Sequence, residues 1–172
     1  MALTSLFAVL VAGCSSSKSD SPTYNDADVS FLQMMYPHHA QAVDMAKMVP
    51  SRSRNQELIT LAKSVENAQA PEMQQIAKLL ESFGKPAPSA TMDHAMAGIM
   101  TQDQMTKLAS LSGPDFDKMW MQMMIEHHQG AIDMSNTESK NGTNADAKAL
   151  AQSIVTAQQG EIDQMNKMLA QS

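Results

Sequence analysis

The sequence predicts an all-α fold, a four-helix bundle built from two copies of one helical hairpin joined by a long connector. The stretch Phe31–Ala46 recurs 89 residues later as Trp120–Ser135, with eight of its sixteen positions identical. A weaker repeat follows at the same offset: Ala62, Ser64, Ala68, Gln69, Glu72, Gln75, Lys78 and Leu80 return as Ala151, Ser153, Ala157, Gln158, Glu161, Gln164, Lys167 and Leu169. The composition agrees. Aromatic residues are 4% of the chain, β-branched residues are few, and Ala, Gln, Leu and 17 Met residues dominate, which favours helix over strand. The unit duplicated is a hairpin, residues 26–80 and 115–169, and two amphipathic hairpins bury their apolar faces by packing as a bundle.

The first helix is expected from Asp26 to Val49, ending before Pro50. At about 100° per residue, Phe31, Met34, Met35, His38, Ala42, Met45 and Val49 share one side, and Gln33, Asp44 and Lys47 lie opposite. His38 falls near the middle of the apolar face. His39 is turned about 100° away and is expected at its edge. Pro37 occupies an interior position and is expected to kink the helix; its counterpart in the second copy is Glu126. The second helix is expected from Ser53, where Ser53 and Gln56 have capping-box spacing, to Phe83-Gly84. Lys85 to Gly113 is the irregular connector, with Thr101 and Gln104 capping a short helix to about Leu111. Gly113-Pro114 ends that helix and opens the third, about Asp115 to Glu138, with Pro114 in the first turn. Trp120, Met123, Met124, His127, Ala131 and Met134 form its apolar face. The fourth helix is expected from Asn144 to Ala170. A connector of this length allows an up-down-down-up or a plain up-down order. In both, the two histidine pairs meet at mid-height.

Ahead of the bundle, Leu3 to Ala12 is apolar but too short to span a bilayer. It fits the apolar region of a secretory signal, and Val11-Ala12-Gly13-Cys14 resembles a bacterial lipobox. Residues 1–14 are therefore expected to be a lipoprotein signal peptide with Cys14 the lipidated residue. Residues 15–25 form a Ser-rich flexible tether and 26–172 the bundle domain. This places the protein outside the cytoplasm, on the extracytoplasmic or periplasmic face, held to the membrane by its lipid alone. The only cysteine is Cys14, so the chain has neither an intrachain disulfide nor a cysteine metal cluster. A net charge of −6 argues against a nucleic-acid partner.

Four of the five histidines lie in the duplicated stretch, interleaved with methionine as Met34/His38, Met35/His39, Met123/His127 and Met124/His128. Residues four apart on a helix share a face, so a thioether and an imidazole can reach one ion. Met45 and Met134 continue the two stripes. Soft thioether sulfur favours Cu(I), and imidazole accepts copper in both oxidation states. A Met/His donor set outside the cytoplasm and without thiolate points to a copper ion rather than zinc. Met92, His94, Met96 and Met100 in the connector are a second candidate set. Asp44 and Asp133 repeat but face away from the stripes, as surface contacts or as outer partners of the ligands. The competing reading is that a methionine stripe is core, because Met fills irregular gaps. Two imidazoles on an apolar face weigh against it, since burying them unpaired costs free energy.

Catalysis has less support. A ferritin-like di-iron site needs Glu-x-x-His, and the sequence contains none; it also lacks Cys-x-x-Cys-His and His-Glu-x-x-His. The expected function is copper binding for storage or tolerance, not an enzymatic one. A redox protein holding a metal or haem, and a non-catalytic interaction module with structural Met and His, are the alternatives.

Met-Met-x-x-His-His-x-x-Ala-x-Asp-Met, present twice with Gly113-Pro114-Asp115-Phe116-Asp117 between, resembles the domain-of-unknown-function 305 family. The resemblance spans about Asp26 to Leu169. It implies a ferritin-like four-helix bundle, commonly exported and often lipid-anchored, with some members binding copper in the periplasm. The positions carrying the motif are Met34, Met35, His38, His39, Asp44 and Met45, then Met123, Met124, His127, His128, Asp133 and Met134. The connector departs from the family pattern, with Ile99 where a methionine is usual.

Overall fold

A computed structural model describes residues 23–86, 89 and 96–171. The described residues form helices and connections, without strands: α1 (Asp26–Arg52), α2 (Gln56–Ser82), α3 (Gln102–Ala109), α4 (Gly113–Asn141) and α5 (Ala145–Leu169). Cys14 and most of the tether lie outside the described residues, as do Met92 and His94. No helix among the described residues is long and apolar enough to cross a membrane.

The helix starts follow local capping chemistry. Asn25 caps α1, accepting from the Ala27 and Asp28 amides, while the Asp28 carboxylate accepts from the Asn25 amide to close a capping box. Thr101 and Gln104 form the expected reciprocal box on α3. Two boundaries differ from expectation. First, α1 continues through Pro50 to Arg52, where the Arg52 guanidinium donates to the Ala109 carbonyl at 3.2 Å and holds the last turn. Second, Ser53 ends α1 rather than opening α2. Its hydroxyl accepts from the Asn55 amide, and Asn55 is the N-cap, accepting from Glu57 and Leu58.

Two contacts set the order of the helices. Near the C-terminal end of α1, the Trp120 indole N–H donates to the Met45 carbonyl at 2.9 Å. At its N-terminal end, buried Asp28 accepts from the amides of Thr143 and Asn144 in the α4–α5 turn. Thus α1 and α4 run antiparallel. Each hairpin is antiparallel too, so the four long helices run up, down, down and up, with α2 ending and α4 starting at opposite ends of the bundle.

The buried apolar residues form two clusters. One holds Phe31, Leu32, Met35, Ile76, Leu80, Ala131 and Leu150. The other holds Met45, Val49, Leu58, Trp120, Met123, Met124 and Met165. On both α1 and α4 the histidine pair sits between residues of one cluster and residues of the other. The core is thus divided at mid-height by a polar layer.

Candidate metal centre

The duplicated stretches place His38 of α1 against His127 of α4. Their rings are 3.8 Å apart between centroids and inclined by 41°. Both side chains are fully buried. All four of their ring nitrogens are without a hydrogen-bond partner in the protein. Leaving a buried polar group unpaired costs about 1–3 kcal/mol, and the duplication incurs that cost twice at one point. Burial drives the His38 pKa down to about 3, helped by the neighbouring imidazoles of His39 and His128. The Ala97 backbone pulls weakly the other way, close to the ring without completing a hydrogen bond. Burial likewise holds His127 well below the ordinary histidine range, and His38 adds to it. Both rings are therefore neutral near pH 7, the form that offers a lone pair to a metal.

His39 and His128 are not at an edge. They are fully buried, because the other helix of each hairpin covers the side to which they turn. His39 Nε2 lies 2.7 Å from the Glu72 carboxylate of α2, and His128 Nε2 lies 2.7 Å from the Glu161 carboxylate of α5. Each Nδ1 is buried without a partner. Gln69 and Gln158, one turn before these glutamates, are buried with both amide atoms unpaired. All four residues belong to the repeat, but only the register of each hairpin shows what they face. Asp44 and Asp133 are exposed. Asp133 accepts from Gln129 on its own helix, and the carboxylates that touch histidines are those of Glu72 and Glu161.

The methionines divide. Met35, Met45, Met123 and Met124 are buried in the two apolar clusters. Met34 and Met134 are half-buried and line one cavity of about 240 Å³ between α1 and α4. Met100 is buried, its backbone held in both directions by the Gln41 amide at 2.8 and 2.9 Å, while Met96 is half-buried. Among the described residues no three His, Cys, Asp or Glu side chains converge on one point.

The connector closes over this site. Gly98 has φ +77°, and a Cβ there would lie 2.9 Å from the carbonyl oxygens of Glu126 and His127. A Cβ on Gly130 would fall on the Ala97 carbonyl. Both glycines are required for the strand of connector to lie against α4 one turn from His127. Gly130→Ala is expected to destabilise the protein by about 1–3 kcal/mol, since the obstacle is backbone. Thermal unfolding checks this, and an unchanged midpoint would show the connector free to move off.

Three solved structures are similar to this chain. A fragment from Deinococcus radiodurans aligns with a TM-score of 0.79 at 30% identity, covering 86% of this chain and 98% of that one. A Streptomyces coelicolor protein, inferred to be secreted, aligns at 0.78 and 31% identity, covering 84% and 93%. CopM in its Cu(II)-bound form aligns at 0.74 and 30% identity, covering 84% and 96%. CopM is also known in Cu(I)-bound, Ag-bound and apo forms. No curated protein matches the chain. Residues 28–169 match the family described as Domain of unknown function (DUF305), and the chain belongs to it.

Proposed function

We propose that this protein binds copper outside the cytoplasm, for storage or tolerance rather than catalysis, and is tethered to the membrane through a lipid on Cys14. The observation that carries the reading is the facing pair His38 and His127: two neutral rings, four buried nitrogens without partners, at the same height of a methionine-rich bundle. A metal ion held by these two residues would take up lone pairs that otherwise stay unsatisfied. Soft donors nearby favour Cu(I), with Met34, Met123, Met45, Met134, Met35 and Met124 as the thioether pool and His39 and His128 as further imidazoles. The likeness to CopM, which is known with copper and silver bound, supports the same chemistry here.

A second reading keeps Met and His structural. It is favoured by the burial of Met35, Met45 and Met124 in ordinary apolar packing. Competition titration with a Cu(I) chelator separates the two. Copper binding predicts that the wild type takes Cu(I) from the chelator and that His38→Ala with His127→Ala loses at least tenfold in affinity. Equal, weak binding by both would remove the copper reading and leave the structural one.

A further inference from the structure

We infer that Glu72 and Glu161 are positioning residues that fix the tautomer of His39 and His128, so that Nδ1 of each ring is its metal-donor atom; this rests on the proposed metal-binding reading. The two contacts are copies of one another. Each joins a fully buried histidine to a glutamate of the same hairpin, 33 residues later, at 2.7 Å. Each glutamate is mostly covered, with 16% and 15% of the side chain exposed. A carboxylate can only accept here, so Nε2 carries the hydrogen and donates it. The opposite nitrogen, Nδ1, is buried and faces no protein partner in either copy. A hydrogen on Nδ1 would bury an N–H with no acceptor, whereas with the hydrogen on Nε2 the buried Nδ1 offers only a lone pair, which is what a metal needs.

This arrangement is a carboxylate–histidine brace of the kind that orients metal-binding imidazoles. It supplies the outer carboxylates that Asp44 and Asp133, both exposed, do not. A purely structural tie between helices would need the hydrogen bond but would place no demand on the state of Nδ1.

The test is nitrogen-15 NMR of the histidine rings in the metal-free protein at pH 7, combined with Cu(I) competition titration. His39 and His128 are expected to carry hydrogen on Nε2 and none on Nδ1. Glu72→Ala with Glu161→Ala should release both rings to a mixture of tautomers and lower Cu(I) affinity about 10- to 100-fold. Glu72→Gln with Glu161→Gln retains an acceptor oxygen and should recover the Nε2–H tautomer and most of the affinity. Rings that carry hydrogen on Nδ1 in the wild type, alone or with Nε2, overturn the inference. So does wild-type Cu(I) affinity in the alanine pair despite released tautomers, which would show the rings to be braced but not ligands. Failure of the wild type to bind Cu(I) at all removes the functional reading, and with it the donor role of Nδ1. The tautomer signals then report only whether the brace exists.

Discussion

Replacing both inward histidines, His38→Leu with His127→Leu, is expected to stabilise the metal-free protein at pH 7 by about 1–3 kcal/mol. The substitution removes four buried nitrogens that have no partner. The gain should grow on acidification. His38 has a folded pKa near 3, against 6.5 for an ordinary histidine. Below pH 6.5 the unfolded chain takes up a proton that the folded chain refuses. Stability is therefore lost as pH falls from 6.5, and the loss levels off near pH 3. The slope is about 1.4 kcal/mol per pH unit for each such group, so His38 alone removes roughly 2–3 kcal/mol by pH 4.5. His127 acts in the same direction. Urea unfolding of both proteins at pH 7 and pH 4.5 reads the effect, and taking the difference cancels the titrating groups remote from the pair. Parallel profiles would mean that the rings find partners or protonate without penalty.

The second large effect lies at the end of the bundle where the α4–α5 turn meets the start of α1. Glu138 is buried, and neither of its oxygens completes a hydrogen bond. Burial, reinforced by the nearby Asp28 carboxylate, pushes its pKa up to about 8. Asp28 goes the other way. Burial would raise it, but the Asn25 amide, the neighbouring Glu138 carboxyl and the amides of Asn144 and Thr143 together outweigh burial and hold it below the usual range. The signs are opposite. Glu138 favours the folded state most below pH 4.5, and this contribution is lost as pH rises through 8. Asp28 stabilises above pH 3.8 and loses its contribution as pH falls below that. Glu138→Gln keeps the shape without the titration. It should gain on the wild type as pH rises from 5 to 9, on the order of 1 kcal/mol per pH unit up to about pH 8. Thermal midpoints at pH 5, 7 and 9 check this, and a constant gap would show that Glu138 ionises freely in place.

The hairpin duplication and the meeting of His38 with His127 were legible because a repeat at a constant offset places equal residues at equal heights. The single-helix projection then failed for His39 and His128. It shows which way a side chain turns on its own helix, but not that α2 or α5 stands there with a glutamate. Gln69, Glu72, Gln158 and Glu161 were visible as repeated positions without a reason, for want of the hairpin register. Helix order was equally hidden, since Asp28 with the α4–α5 turn and Trp120 with Met45 are contacts between residues 75 or more apart. At Pro50 a local rule gave way to a tertiary contact, Arg52 with Ala109. Gly98 and Gly130 could not be paired before the connector was seen to cross α4.

The central claim is that the mid-bundle imidazoles and thioethers hold copper together. X-ray absorption at the copper edge of the Cu(I)-loaded protein tests it most directly, in the wild type and in His38→Ala with His127→Ala. Mixed sulfur and imidazole scattering in the wild type, with the imidazole part reduced or lost in the variant, is the predicted result. A copper environment with no sulfur, or one unchanged by removal of both histidines, would contradict it.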